Sequence, residues 1–216
     1  MRKDVQPSDL EFASLISSKI CHDIIGPIGA ICNGLEMVSS DKDTSASFRA
    51  LDIVRDVSEQ LSARLKFARF AFGTSALNTS LIELNVIQEL IQGLTGDRTK
   101  HQVVWDNIIA EPLFKIHAKL LLNLVACAIA TLPRGGVIII EINFINSKPN
   151  FSLLCNGKIA QPARGLKELL DNANNTEIDP FSVQAYYTLR LANEIGMQLS
   201  IDQHSNNLQL TAKTLM

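Results

Sequence analysis

The chain has 216 residues, 46% of them hydrophobic. That is enough for one large or two small domains with a sizeable core, and it excludes disorder. A formal net charge of -2 argues against nucleic-acid binding through a broad basic surface. No apolar run approaches ~18 residues, and Met1-Arg2-Lys3-Asp4 leads into polar residues, so no membrane span or secretion signal is expected.

A long amphipathic helix is predicted from about Ser8 to Ser40. Ile16, Ile20, Ile24, Pro27, Ile31, Leu35 and Val38 recur every three or four residues and form one stripe. At roughly 100° per residue, His22 lies almost opposite that stripe and faces solvent. Gly26 and Gly29 follow on the same side. Each glycine costs about 1 kcal/mol of helix stability relative to alanine. Beside an exposed imidazole they leave a bare surface that another protein can approach closely. Pro27 cannot donate to the carbonyl of Asp23, which predicts a kink just after the histidine. By position alone, His22 reads as a surface residue and Asp23 as a helix-edge acid. Taken as a pair, Asp23 can accept the ring proton and orient the imidazole as a nucleophile.

Asp41-Lys42-Asp43-Thr44 reads as a turn, with Thr44 or Ser45 capping a second helix that runs to about Phe72. Leu51, Val54, Val57, Leu61, Leu65, Ala68 and Phe72 form its stripe, while Arg64, Lys66 and Arg69 read as a solvated face. Two such helices make an antiparallel hairpin, and a hairpin of ~60 residues is marginal alone. Two hairpins forming a homodimeric four-helix bundle would cover both stripes, as would packing of the hairpin on its own C-terminal domain. The small, polar run Gly73–Ser80 reads as a boundary, giving domains 1–74 and 75–216.

The second domain alternates helices and strands. Leu81–Leu84 is a short strand or the lead-in to a helix over Val86–Leu94 that ends at Gly96. Gln102–Trp105 is a strand, and Trp105 a core residue. Ile116–Leu132 is an apolar helix stopped by Pro133 and Gly135-Gly136. Gly136–Ile145 and Phe151–Cys155 are antiparallel strands joined across Asn146–Asn150. Arg164–Asn172 and Asp179–Ile195 are helices, and Gln198–Asp202 pairs with Leu208–Ala212 around Ser205-Asn206-Asn207. The predicted class is α+β: a helical hairpin followed by a two-layer α/β sandwich. His101, His117 and His204 lie in separate elements without metal spacing. Cys21, Cys32, Cys127 and Cys155 include no C-x-x-C pair, and reduced, mostly buried thiols of a cytoplasmic protein are expected.

His22-Asp23-Ile24-Ile25-Gly26-Pro27 resembles the phosphoacceptor motif of histidine-kinase dimerisation domains. Together with Lys19-Ile20-Cys21 and Gly29-Ala30-Ile31-Cys32-Asn33-Gly34-Leu35-Glu36, it is similar to the ChpT-type histidine phosphotransferases of alphaproteobacterial cell-cycle signalling. The resemblance implies a homodimer that accepts a phosphoryl group on His22. The donor would be the receiver aspartate of a hybrid kinase (CckA-like), and the acceptors response-regulator receivers (CtrA/CpdR-like). Ser18, Lys19, Gly26, Pro27, Gly29 and Asn33 would form the docking face around His22 and Asp23. Mg²⁺ would come from the receiver, with no nucleic acid or membrane involved. The order of elements also resembles the kinase ATP-binding domain. There the first N-box asparagine corresponds to Asn123, and Cys127 stands where a second would be, a poor Mg²⁺ ligand. The adenine loop corresponds to Leu154-Cys155-Asn156-Gly157-Lys158-Ile159, without its aspartate and second glycine. Phe181–Tyr187 replaces a glycine-rich lid. A domain without a nucleotide site is therefore expected. An active or pseudo kinase with a divergent site, and a non-catalytic dimeric scaffold, stay open as alternatives.

Overall fold

A computed structural model describes residues 6–40, 44–74, 80–95, 99–108, 111–172 and 176–215. The first helix, α1 (Asp9–Ser40), begins at a reciprocal cap. The Glu11 N–H donates to the Ser8 hydroxyl at 3.3 Å, and the Ser8 N–H donates to the Glu11 carboxylate at 2.8 Å. The Ser8 N–H and the Ser8 hydroxyl, both donating to the Glu11 carboxylate, hold it below its usual range. The helix continues through Pro27. Helix α2 (Thr44–Phe72) packs back along it as an antiparallel hairpin; the intervening turn at 41–43 lies outside the described residues. Close packing is fixed at Gly34, where a Cβ would meet Val54 Cγ2 at 2.5 Å.

By length and composition α1 would pass for a membrane span, because an 18-residue window within Asp9–Ser39 has a mean hydropathy of 1.3. The run-length expectation missed this, since the apolar residues are interspersed rather than contiguous. They serve a hairpin: Ile16, Ile20, Ile24, Pro27, Ile31 and Val38 are half-buried, while Lys19, His22 and Asp23 sit mid-helix.

The remainder is a two-layer sandwich. Its five-stranded sheet runs in the order β2 (His101–Ile108), β4 (Gly136–Ile145), β5 (Lys148–Asn156), β7 (Asn207–Thr214), β6 (Met197–His204). Strand β2 is parallel to β4 and the other pairs are antiparallel. Helices α3 (Leu84–Thr95), α4 (Lys115–Thr131), α5 (Leu166–Asn172) and α6 (Val183–Glu194) form the second layer. Alternation puts Ile138, Ile140 and Ile142 of β4 and Phe151, Leu153 and Cys155 of β5 into the core against α4. A two-residue pair, β1 (Leu81–Ile82) with β3 (Leu113–Phe114), closes the near end.

Several boundaries move for local reasons. The β4–β5 link tightens to Asn146-Ser147, both with positive φ (52° and 60°), as two-residue hairpins require. Helix α5 starts after Gly165 at φ 77°. Helix α6 starts at Val183 because Asp179 forms a capping turn, accepting from the N–H groups of Phe181 and Ser182 at 2.9 and 2.7 Å. The expected helix stop at Gly96 and residues 75–79 of the expected boundary lie outside the described residues.

The hairpin is built into the sandwich at its lower end. Phe67 and Ala71 of α2 belong to the same core as α4 and the sheet. The Lys119 ammonium donates to the Gly73 carbonyl at 3.0 Å. Phe12 of α1 lies edge-on to Tyr186 and stacks on Tyr187, with centroids 5.4 and 5.8 Å apart.

Candidate functional site

The His22 side chain projects from the middle of α1 and is 76% exposed. Its Nδ1 lies 3.5 Å from Asp23 Oδ1. The other Asp23 oxygen accepts from Lys19 Nζ at 2.9 Å, an (i, i+4) pair. The carboxylate is thereby held toward the ring. With its proton on Nδ1, toward Asp23, the ring would carry its lone pair on Nε2.

Ser18, Gly26, Gly29 and Asn33 lie within about 40° of His22 around the helix and are exposed with it. A Cβ at Gly26 or Gly29 would meet nothing within 4 Å. Lys19 flanks this face. Pro27 does not share it, lying about 140° away and half-buried with the apolar stripe. Cys21 and Cys32 are exposed, contrary to the expectation of mostly buried thiols, because neither falls on the stripe; all four cysteines are free. Cys127 and Cys155 are buried, and burial pushes their thiols up to about 11 and about 12.

Two residues that the sequence reading did not single out complete the site. Phe181, in the turn before α6, places its ring centroid 6.2 Å from that of His22, with the planes at 74°. Arg164 stands over the Phe181 ring at 5.0 Å and is ion-paired with Asp179. Burial alone would raise the Asp179 carboxyl; hydrogen bonds from Ser182 and Phe181 and the Arg164 charge outweigh it and hold it below its usual range. The available signal is a phenylalanine in the segment that replaces a glycine-rich lid.

The positions compared with a nucleotide site are occupied by protein contacts. Asn123 is 0% exposed. Its amide nitrogen donates to the carbonyls of Ala71 (3.0 Å) and Lys119 (2.8 Å), and its oxygen accepts from Gln184 Nε2 at 2.7 Å. Cys127 Sγ lies 3.5 Å from Thr188 Oγ1. The space beside them, bounded by Leu124, Leu166, Leu199 and Leu210, is a cavity of about 10 Å³. It adjoins an open groove of about 340 Å³ over Pro162, Lys167, Asp171 and Gln203. At Gly157 a Cβ would meet Gly135 O at 2.8 Å and Leu132 Cδ2 at 2.9 Å, so the chain after β5 packs closely against the end of α4. The remaining histidines are separate: His101 is buried with Nε2 2.9 Å from Leu132 O, His117 is half-buried on α4, and His204 is exposed on β6. Trp105 is half-buried against the core. Arg64, Lys66 and Arg69 are exposed.

An exposed imidazole on a helical hairpin, with a carboxylate beside it and an α/β sandwich joined to it, is the arrangement of a phosphotransfer protein. Comparison with known proteins agrees. The profile of the histidine phosphotransferase C-terminal domain matches residues 84–207. Protein phosphotransferase ChpT of Brucella abortus (strain 2308) is 33% identical over 215 residues, 99% of this chain and 100% of that protein. The solved structure of a bacterial phosphotransferase superposes with a TM-score of 0.85 at 33% identity, covering 97% of this chain and 99% of the other. The chain belongs to the histidine phosphotransferase family.

Proposed function

We propose that this chain is a phosphorelay intermediate, with His22 the residue that carries the phosphoryl group. The observation that supports this most directly is the exposed His22 ring with Asp23 3.5 Å from Nδ1 on a glycine-bare helix face. A phosphorylated receiver docks over Ser18, Gly26, Gly29 and Asn33. The Nε2 lone pair attacks phosphorus in line as the bond to the receiver aspartate breaks, and that aspartate leaves as a carboxylate. The proton stays on Nδ1, so the phosphorylated ring is cationic and Asp23 stabilises it. Positioning and charge neutralisation carry most of such a transfer. The reverse step hands the group to a second receiver. Mg²⁺ demands a near-octahedral oxygen shell. One carboxylate already paired with Lys19 does not fit that need, so Mg²⁺ arrives with the receiver.

Family membership supports a hybrid-kinase receiver (CckA-like) as donor and response-regulator receivers (CtrA/CpdR-like) as acceptors, in the cytoplasm. Residues 1–74 serve dimerisation and transfer, and residues 75–216 form an ATPase-like unit without a nucleotide site. The homodimer is supported by apolar surface that the hairpin leaves open. Ile28 and Leu35, both exposed, continue the three–four spacing of Ile24 and Ile31. A groove of about 390 Å³ lies over Ile31, Leu61 and Leu65.

The decisive experiment incubates the purified protein with a phosphorylated receiver and follows the label. Acid-labile label on His22 is expected, with none acquired from ATP-Mg²⁺ alone. Labelling from ATP would make the chain a kinase; no labelling from any receiver would leave a scaffold. The docking face has its own test in Gly29→Leu. Open space around Gly29 lets the variant gain up to about 1 kcal/mol of helix propensity. The bulk should hold the receiver off and slow transfer by about tenfold or more, since about 1 Å of misplacement can cost about a hundredfold. A Gly29→Leu protein relaying at the normal rate would show that receivers dock elsewhere.

A further inference from the structure

Asp23 is the near neighbour of His22 on its own helix. The other ring beside it comes from 159 positions further along the chain. Phe181 meets the imidazole edge-to-face, with centroids 6.2 Å apart and planes at 74°. A large apolar side chain that is 63% exposed normally points at water. This one is held in place from behind. The Arg164 guanidinium lies 5.0 Å from its centroid and is ion-paired with Asp179. The same Asp179 carboxylate fixes the backbone of the turn, through the N–H groups of Phe181 and Ser182. Gly165, at φ 77°, brings the Arg164 loop against the start of α6: a Cβ there would meet Ser182 Cβ at 2.7 Å. Two loops of the C-terminal domain are thus tied together behind one ring, and that ring touches His22.

We propose that Phe181 is a positioning residue for phosphotransfer, fixing the rotation of the His22 imidazole so that Nε2 faces the incoming phosphoryl group. This rests on the reading of His22 as the phosphoacceptor. Phe181 touches neither phosphorus nor proton. Asp23 selects which nitrogen carries the proton, and Phe181 limits the rotations open to the ring. An edge-to-face pair corresponds to a factor of about two to ten in a conformational population. In-line attack needs the reacting atoms roughly 3–3.5 Å apart, so a ring spread over rotamers transfers more slowly without docking less tightly.

The test uses the full chain as Phe181→Ala and Phe181→Tyr, with a receiver domain from which the native protein accepts label. Single-turnover transfer is measured against receiver concentration, and the His22 ring-proton shifts are followed by NMR. For Phe181→Ala the limiting rate should fall by about two- to tenfold. The half-saturating receiver concentration should stay unchanged, and the His22 ring protons should lose their ring-current shift. Phe181→Tyr should restore both rate and shift. A normal limiting rate in Phe181→Ala overturns the proposal. So does a raised half-saturating concentration at normal rate, which would make Phe181 a docking contact, or a loss that tyrosine does not restore. His22→Ala run alongside separates the two readings. If it is inert while Phe181→Ala is normal, only the positioning role falls. If His22→Ala still transfers, the acceptor assignment falls with it.

Discussion

His22→Ala is expected to reduce phosphoryl acceptance to background while the protein stays folded. The alanine has no nucleophilic nitrogen, and Asp23 beside it would form a second acyl phosphate rather than a phosphoramidate, with no geometry on this helix to assist. Stability should change by less than about 1 kcal/mol, because the side chain is exposed and loses only its contacts with Asp23 and Phe181. Label transfer and thermal unfolding on the same preparation check both halves. Transfer persisting in a folded His22→Ala protein would remove the acceptor assignment and make the exposed histidine incidental.

The largest effect on stability is expected at Asn123. This buried amide binds three elements: it donates to Ala71 at the end of α2 and to Lys119 one turn back on α4, and accepts from Gln184 on α6. Asn123→Ala leaves the Ala71 carbonyl and the Gln184 amide without these partners. Each buried group left unsatisfied costs about 1–3 kcal/mol. A loss of about 3 kcal/mol is expected, and at roughly 2–4 °C per kcal/mol for a chain of this size Tm should fall by roughly 6–12 °C. Asn123→Asp separates a structural role from a metal-binding one. It keeps an oxygen that could hold Mg²⁺ but turns acceptors toward two carbonyls. If Asn123 is a tie, aspartate should destabilise at least as much as alanine. A mild Asp variant, or an alanine variant within about 1 kcal/mol of the native protein, would contradict the tie.

The hairpin was legible because its signal is local. A stripe spaced three and four shows that a helix exists, which side of it is dry, and that His22 stands on the wet side. The same arithmetic places Pro27 away from His22, and it excludes Cys21 and Cys32 from the stripe. The general tendency of cysteine to be buried does not hold at these two positions. In the sandwich, the near-continuous apolar run Val137–Ile142 marks a strand inside the sheet, while two-residue β3 is too short to carry periodicity. The start of α6 was placed too early because Asp179 and Ser182 have side chains that offer the backbone an alternative to helix. Within the site, His22 and Asp23 are neighbours in sequence and so were readable together. Phe181 and Arg164 reach them through tertiary packing, which no spacing rule encodes.

Modularity is where the joint between hairpin and sandwich matters. The polar stretch after Phe72 looks like a place to cut, yet Phe67 and Ala71 lie inside the core that α4 and the sheet complete. Severing the chain there would strip these side chains of their cover and strand the Ala71 carbonyl that Asn123 holds. A hairpin excised at residue 74 is therefore no miniature of the whole, and grafting it onto another scaffold would require carrying along a surrogate for α4. The boundary written in the sequence is a seam in the chain, and the core runs straight across it.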